Sequence, residues 1–172
     1  MNEERIFNAV KIFNGFHGHI ITECDIILTN RMVIIVTKEK SCGAIIFRKI
    51  QNSYEFVLVQ SKFHHHFGFP KGHVEPFETE TMTAEREVLE ETGLHVKIMD
   101  HLREKISYEP RKGVIKDVVY FLAEAKTHDI RHQEEELSQA EWVDASKVLS
   151  KLSFHNDRQI FMKLSKKANI EF

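Results

Sequence analysis

Residues 72–94 read GHVEPFETETMTAEREVLEETGL, and this stretch places carboxylates at fixed positions around a predicted helix. If residues 79–92 are helical, Glu87, Glu90 and Glu91 stand at i, i+3 and i+4 and share one face. Three acids on one face repel one another unless a cation lies among them. Because the ligand atoms are all oxygens, the site suits Mg²⁺ or Mn²⁺ better than zinc. The spacing therefore predicts a divalent-metal site, and such a metal indicates phosphate chemistry.

The order of these residues resembles the Nudix box, and every fixed position of that signature is filled, from Gly72 through Glu78 to the run at 86–94. The resemblance implies a MutT-like hydrolase that cuts nucleoside diphosphates linked to another moiety, with Mg²⁺ (or Mn²⁺) as cofactor. It also implies an α/β (α+β) Nudix fold, in which helices flank a mixed β-sheet core and the box forms loop, helix and loop. A merely solvated acidic helix, or a binding protein that has lost its glutamates, fits less well because the acids and Arg86 are all present.

Three further segments resemble the branch of this family that cleaves diadenosine tetraphosphate asymmetrically. They are SCGAIIFR at 41–48, FPKGHVEP at 69–76 and YFLAEA at 120–125. This wider resemblance covers residues 41–164 and implies cleavage of a dinucleoside polyphosphate to AMP and ATP. Two alternatives stay open. One is a pyrophosphohydrolase of RNA 5′ ends or caps, and the other is a non-catalytic nucleotide-binding module in which residues 1–40 recruit a partner.

The composition is that of an ordinary globular domain, with 42% hydrophobic and 29% charged residues in a chain of 172. A net charge of −2 excludes the basic field that proteins binding nucleic acid commonly carry. Cys24 and Cys42 have neither metal-ligand spacing nor a disulfide framework, which favours a reducing compartment. The longest apolar stretch, residues 32–36, is too short for a bilayer, and no signal pattern is found. We therefore expect a cytoplasmic enzyme with a small nucleotide substrate and no membrane partner.

Hydrophobic periodicity predicts strands on both sides of the acidic helix at 79–92. A first helix is predicted at residues 3–13, and short strands within residues 19–38. Further strands are predicted at 41–48, 54–60, 94–99, 103–108, 118–125 and 141–143, and further helices at 145–149 and 156–167. We expect one Nudix domain over residues 41–172. Residues 1–40 are expected to pack on it as an extra layer, as the contact of a homodimer, or as a gate over the site.

The resemblance implies a role for each residue of the box. Glu87, Glu90 and Glu91 are the expected metal ligands, and the carbonyl of Gly72 is a further candidate. A bound cation would neutralise phosphate oxygens and acidify water. Arg86 is expected to point off the metal face and to orient a glutamate through an ion pair.

A second acidic segment, residues 134–136, follows the strands of the core. In similar enzymes a glutamate about six residues before a tryptophan approaches the metals, and here this is Glu136, which precedes Trp142. Glu136 is therefore a candidate ligand or general base. The alternative is a solvated acidic loop.

Two lysines and an aromatic pair are the candidate substrate contacts. Lys71 and Lys116 would place mobile positive charges near phosphate oxygens. Tyr108 matches a tyrosine of the branch that stacks on adenine, although it could equally be core at a strand end. Phe67 stands where the branch carries tryptophan, which leaves the second stacking partner open. The HHH triplet before Phe67 is either a loop that reaches the phosphate pocket, with His65 as its candidate contact, or a plain polar turn.

Overall fold

The computed structural model describes the backbone of residues 5–9, 23–29 and 32–170, and the side chains of residues 36–170. These residues form one mixed β-sheet of nine strands and three α-helices. The strands are β1 (Arg5–Ala9), β2 (Glu23–Thr29), β3 (Met32–Ile50), β4 (Ser53–Ser61), β5 (Phe67–Gly68), β6 (Lys71–His73), β7 (Val96–Arg111), β8 (Val114–Ala125) and β9 (Leu137–Asp144). The helices are α1 (Glu80–Thr92), α2 (Ala145–Lys151) and α3 (His155–Lys167). None of these helices has the length and apolar character needed to span a bilayer.

The long strand β3 organises the sheet because it pairs on both of its edges. It runs parallel to β8, from Thr37↔Val114 to Phe47↔Glu124, and antiparallel to β2, β4 and β6. β8 pairs in turn with β7, and β4 pairs with β5 and β9, all antiparallel. One parallel pair among the antiparallel pairs of the described strands makes the sheet mixed, as expected.

Helices cover both faces of the sheet. Adjacent residues of a strand point to opposite faces, so Ile45 and Ile46 of β3 belong to different halves of the core. Ile45 packs in one cluster with Val148 of α2 and Phe161 of α3. Ile46 packs in the other cluster with Val88 of α1. The sheet is therefore buried on both sides, and among the described helices α1 covers one face while α2 and α3 cover the other.

The acidic helix α1 begins and ends as the sequence predicts. The Thr79 hydroxyl accepts a hydrogen bond from the Met82 amide at 3.2 Å, which caps the first turn. Gly93 adopts φ 69° beyond the last turn, and its amide donates to the Leu89 carbonyl at 2.8 Å. Ala84 and Val88 are fully buried, so the apolar face of α1 rests on the sheet.

We expect Gly93→Ala to lower the free energy of unfolding by about 1–2 kcal/mol, because an L-residue with a Cβ is strained at positive φ. The new methyl would also lie 3.2 Å from the Arg131 Cβ. Gly93→Asn is the matched control, since asparagine tolerates the left-handed region better and should lose less. Urea denaturation measures both variants. Equal losses for alanine and asparagine would mean that crowding, and not the backbone, accounts for the glycine.

Two predicted elements differ in the structure. The helix predicted at 3–13 is wrong over residues 5–9, which form β1 and pair antiparallel with β2; the rest of that prediction lies outside the described residues. A short apolar run fits either element, and pairing with a neighbouring strand decides it. The two strands predicted at 94–99 and 103–108 are one strand, β7, whose register with β8 shifts between Met99 and Arg103.

The N-terminal residues are connected to the domain through β3. This strand runs without interruption from Met32 to Ile50, and it therefore crosses the boundary predicted at residues 40 and 41. The division into 1–40 and 41–172, and the role of residues 1–40, stay predictions.

Candidate active site

An open acidic cavity of about 460 Å³ lies where α1, β6, β8 and the loop before β9 meet. It brings together the candidate ligands and lysines: Lys71, Gly72, Glu87, Glu90, Glu91, Lys116 and Glu136. Of the acidic segment 134–136, the side chains at 134 and 135 do not line this cavity, whereas Glu136 does. Residues that are separated by up to 65 positions in the chain thus meet at one place.

Arg86 joins the loop before α1 to the acidic face of the helix. Its Nη1 donates to Glu87 Oε1 at 2.6 Å and to Glu90 Oε2 at 3.0 Å. Its Nε donates to Glu78 Oε1 at 2.7 Å, and its Nη2 donates to the His73 carbonyl at 2.9 Å. Arg86 itself does not line the acidic cavity, and its guanidinium joins Glu78 to Glu87 and Glu90. The ion pairs expected of it are present.

Glu78 fixes the loop that leads into α1. The hydrogen bonds from Arg86 lower the pKa of Glu78 to about 2, and so this carboxylate is ionised. It also accepts hydrogen bonds from the Thr83 hydroxyl at 2.7 Å and from the Glu75 amide at 3.1 Å. A charge held by so many donors is a rigid support for the residues that flank it.

Glu91 is the most deeply buried of the candidate ligands. Its residue is 7% exposed, and its Oε2 has no hydrogen-bond partner among the described residues. Burial raises the pKa of Glu91 to about 8; Lys71 opposes this rise and Glu87 adds to it. A buried carboxylate oxygen without a donor is costly, and a cation bound in the cavity would satisfy it.

The candidate ligands fit a hard divalent cation, since the carbonyl of Gly72 and the carboxylates of Glu87, Glu90, Glu91 and Glu136 all offer oxygen atoms, and one Glu91 oxygen is unpaired among the described residues. Within the part of the chain that the structure describes, no three Asp, Glu, His or Cys side chains lie close enough to hold one ion. Glu87 and Glu90 are instead ion-paired with the Arg86 guanidinium. Glu90 is 51% exposed at its side chain, and it has room to turn towards a cation.

A second cavity, of about 540 Å³, opens beside the acidic one and is mainly apolar. The two cavities share four lining residues: Ser61, Lys71, Glu91 and Leu137. Its aromatic wall is built from five rings: Phe67, Phe69, Tyr108, Tyr120 and Phe154. One extended molecule could therefore place a flat apolar group in the second cavity and a charged group in the first.

The predicted substrate residues divide between these cavities and the surface. Tyr108 and Phe67 line the apolar cavity, as a stacking role requires. His65 lines neither cavity, whereas its neighbours His64 and His66 line the apolar one. The triplet lies in the turn after β4, where His65 adopts φ 54° and its amide donates to the Ser61 carbonyl at 2.9 Å. The His64 and His66 rings stack with their centroids 6.0 Å apart.

Sequence reasoning missed the start of α3. Phe154 and Asp157 both line the apolar cavity, and the Phe154 ring meets the His66 ring edge-on at 4.7 Å between centroids. The segment SFHND at 153–157 carries an aromatic and an acid around the start of the predicted helix. That local signal marks a helix start and does not tell which cavity the helix will face.

Known proteins with similar sequences support the assignment of these residues to a Nudix box. The NUDIX domain family matches residues 38–164 of this chain. The rat protein named bis(5′-nucleosyl)-tetraphosphatase (asymmetrical) is 42% identical over 101 residues, which is 53% of this chain and 68% of the rat protein. The Caenorhabditis elegans protein of that name is 35% identical over 116 residues, which is 63% of this chain and 83% of the other.

Solved structures show the same likeness. The crystal structure of a C. elegans Ap4A hydrolase binary complex matches with a TM-score of 0.69 and 29% identity, covering 76% of this chain and 98% of that chain. The predicted fold and the resemblance to the asymmetrical hydrolase branch are thus confirmed. Because the family match spans most of the chain and includes the whole box, this chain belongs to the Nudix family.

Proposed function

We propose that this chain hydrolyses dinucleoside polyphosphates, and that it cleaves diadenosine tetraphosphate asymmetrically to AMP and ATP. The observation that carries the proposal is the junction of an acidic cavity with an aromatic one at Lys71 and Glu91. A nucleotide combines a flat base with a polyphosphate, and these parts match the two cavities. The similarity to proteins named bis(5′-nucleosyl)-tetraphosphatase (asymmetrical) supports the choice of substrate.

We propose Mg²⁺ as the cofactor, with Mn²⁺ as a substitute. The residues that would hold it are Glu87, Glu90, Glu91 and Glu136, together with the carbonyl of Gly72. When bound, a divalent cation supplies charge neutralisation for the phosphate oxygens and acidifies the attacking water.

The chain's own residues position the reactants. Lys71 and Lys116 both line the acidic cavity, and there they would bind phosphate oxygens as point charges. Burial lowers the pKa of Lys116, and the charge of Lys71 lowers it further. A phosphate anion between the two lysines would reduce their mutual repulsion. Arg86 keeps Glu87 and Glu90 at the cavity through its ion pairs.

Proton transfer needs a carboxylate near the water, and we assign this role of general base to Glu136. As the water oxygen bonds to phosphorus, Glu136 accepts the proton and the bridging P–O bond breaks. The bridging oxygen leaves with the other nucleotide, which yields AMP and ATP. Tyr108 and Phe67 would stack on the base in the apolar cavity. A phosphate contact by His65, the homodimer contact and the cytoplasmic location stay predictions.

Product analysis tests this proposal. The purified protein with Mg²⁺ is given diadenosine tetraphosphate, nucleoside triphosphates, ADP-ribose, a cap analogue and capped RNA, and the products are separated by chromatography. We expect diadenosine tetraphosphate to be the preferred substrate and to give AMP and ATP in equal amounts. A chelator should abolish turnover, and added Mg²⁺ should restore it.

Other outcomes would contradict the proposal. Preferred cleavage of capped RNA would favour an enzyme of RNA 5′ ends. Tight nucleotide binding without turnover in Mg²⁺ or Mn²⁺ would favour a non-catalytic module. Two molecules of ADP as the product would overturn the asymmetrical cleavage and leave the substrate class unchanged.

A further inference from the structure

The apolar cavity contains a carboxyl group that the proposed hydrolysis does not use. Asp157 lies in the first turn of α3 and lines this cavity beside the aromatic rings. Burial raises the pKa of Asp157 and the charge of Lys71 opposes the rise, and no hydrogen-bond donor among the described residues contributes. A partly buried carboxyl group without a donor is unfavourable unless a ligand supplies one.

Gly68 keeps this carboxyl group accessible. It lies on β5 and lines the same cavity. A methyl group at residue 68 would lie 3.3 Å from Asp157 Oδ2. The missing side chain therefore leaves space directly in front of the carboxylate oxygen.

The Tyr120 hydroxyl is a second unpaired polar group at this cavity. Tyr120 is 1% exposed, and its hydroxyl has no hydrogen-bond partner within the described part of the chain. Burial and then the nearby Asp157 raise the pKa of Tyr120 well above its usual range, so the hydroxyl keeps its proton and remains a donor. The cavity thus offers a carboxylate acceptor and a hydroxyl donor within an apolar wall.

We propose that Asp157 is a specificity-determining residue that accepts a hydrogen bond from the exocyclic amino group of adenine, while the Tyr120 hydroxyl donates to a neighbouring ring nitrogen. Adenine presents an amino donor beside a ring-nitrogen acceptor, which complements this pair. Guanine and hypoxanthine carry an oxygen at the position of the amino group, and there two acceptors would face each other. This inference rests on the proposed function, which places the base in the cavity.

Kinetics with two substrates test the inference. Asp157→Ala should raise KM for diadenosine tetraphosphate about tenfold with little change in kcat, the scale expected for one hydrogen bond to a charged group. KM for diguanosine tetraphosphate should fall or stay the same, because the variant removes one of the two acceptors that face each other. Asp157→Asn keeps an acceptor oxygen and should lie between the wild type and alanine. Gln159→Ala, at an exposed position of the same helix, is the matched control. An equal change in KM for both substrates would overturn the inference and leave Asp157 with a role at the helix start alone. An unchanged KM for diadenosine tetraphosphate would overturn it as well.

Binding without turnover separates this inference from the proposed function. Ligand-observed NMR on the metal-free protein compares adenosine with inosine, which carries an oxygen in place of the amino group and a hydrogen on the neighbouring ring nitrogen. The wild type should bind adenosine more tightly, and Asp157→Ala should remove the preference. Tyr120→Phe removes only the unpaired hydroxyl, and so it should reduce the preference by a smaller factor without loss of stability.

The outcomes of the two experiments are distinguishable. If diadenosine tetraphosphate is not cleaved but Asp157→Ala removes the preference for adenosine, the inference stands and the proposed substrate fails. If diadenosine tetraphosphate is cleaved and the preference is the same in the variant, the inference fails and the proposed function stands.

Discussion

Replacing Glu91 with glutamine is expected to lower turnover by about 10²–10⁴-fold while the fold stays intact. Glu91 lines both cavities, and its buried Oε2 is unpaired among the described residues. Glutamine has the same shape but no charge, and so the variant removes the electrostatic contribution without leaving a void. Steady-state kinetics with saturating Mg²⁺ measure the loss. Glu85→Gln, at an exposed position of the same helix, should retain the wild-type rate.

Glu91→Gln should also have a higher free energy of unfolding than the wild type, and this difference should increase with pH. Burial raises the pKa of Glu91 from 4.5 to about 8 in the folded protein. Between these values the folded state holds a proton that the unfolded state releases. The wild type therefore loses stability as the pH rises through this window, by roughly 1.4 kcal/mol for each pH unit. Glutamine cannot ionise, so the advantage of Glu91→Gln should grow from acid to mildly alkaline pH.

Urea denaturation in the presence of a chelator checks this dependence. The difference in unfolding free energy between Glu91→Gln and the wild type is measured near both ends of the window. A constant difference, or one that shrinks as the pH rises, would show that the Glu91 carboxyl group is not desolvated in the folded protein. Retention of a near-normal rate would remove Glu91 from the proposed ligands even if the stability behaved as expected.

The acidic helix was predictable because its signals are local. Each signal involves residues that lie within one or two helical turns of one another. These signals are the capping residue Thr79, the terminating residue Gly93 and the i, i+3, i+4 spacing of the acids. The buried strand β8 was predictable for the same reason, since its apolar run exceeds what a loop carries. The i, i+4 spacing of Ala84 and Val88 is a local signal of the same kind, and both residues are fully buried.

What could not be predicted depends on contacts between distant parts of the chain. The partners of Arg86 outside α1 are decided by where Glu78 and the His73 carbonyl lie after folding. The segment that became β1 matched a helical pattern until its pairing with β2 overrode it. Asp157 has no functional signal in its own surroundings, because the cavity it faces is built by β5, β7 and β8.

Gly72→Ala should lower turnover about a hundredfold, since a displacement of about 1 Å in a reacting group has an effect of that size. A Cβ at residue 72 would lie 2.0 Å from Glu87 Oε1 and 2.1 Å from its Cδ, which no contact can tolerate. Glu87 must therefore leave its ion pair with Arg86, or β6 must move from its place opposite Cys42 of β3. Either movement displaces a proposed ligand.

A double-mutant cycle distinguishes the clash from a general effect of alanine in β6. If the Glu87 carboxylate is the obstacle, Gly72→Ala should destabilise the wild type more than it destabilises Glu87→Ala, in which the obstacle is absent. Urea denaturation of the four proteins gives the coupling free energy. Equal losses in both backgrounds would show that the methyl group meets something other than Glu87. The glycine of the box would then be explained by strand pairing, and its place beside the acidic cavity would carry no functional meaning.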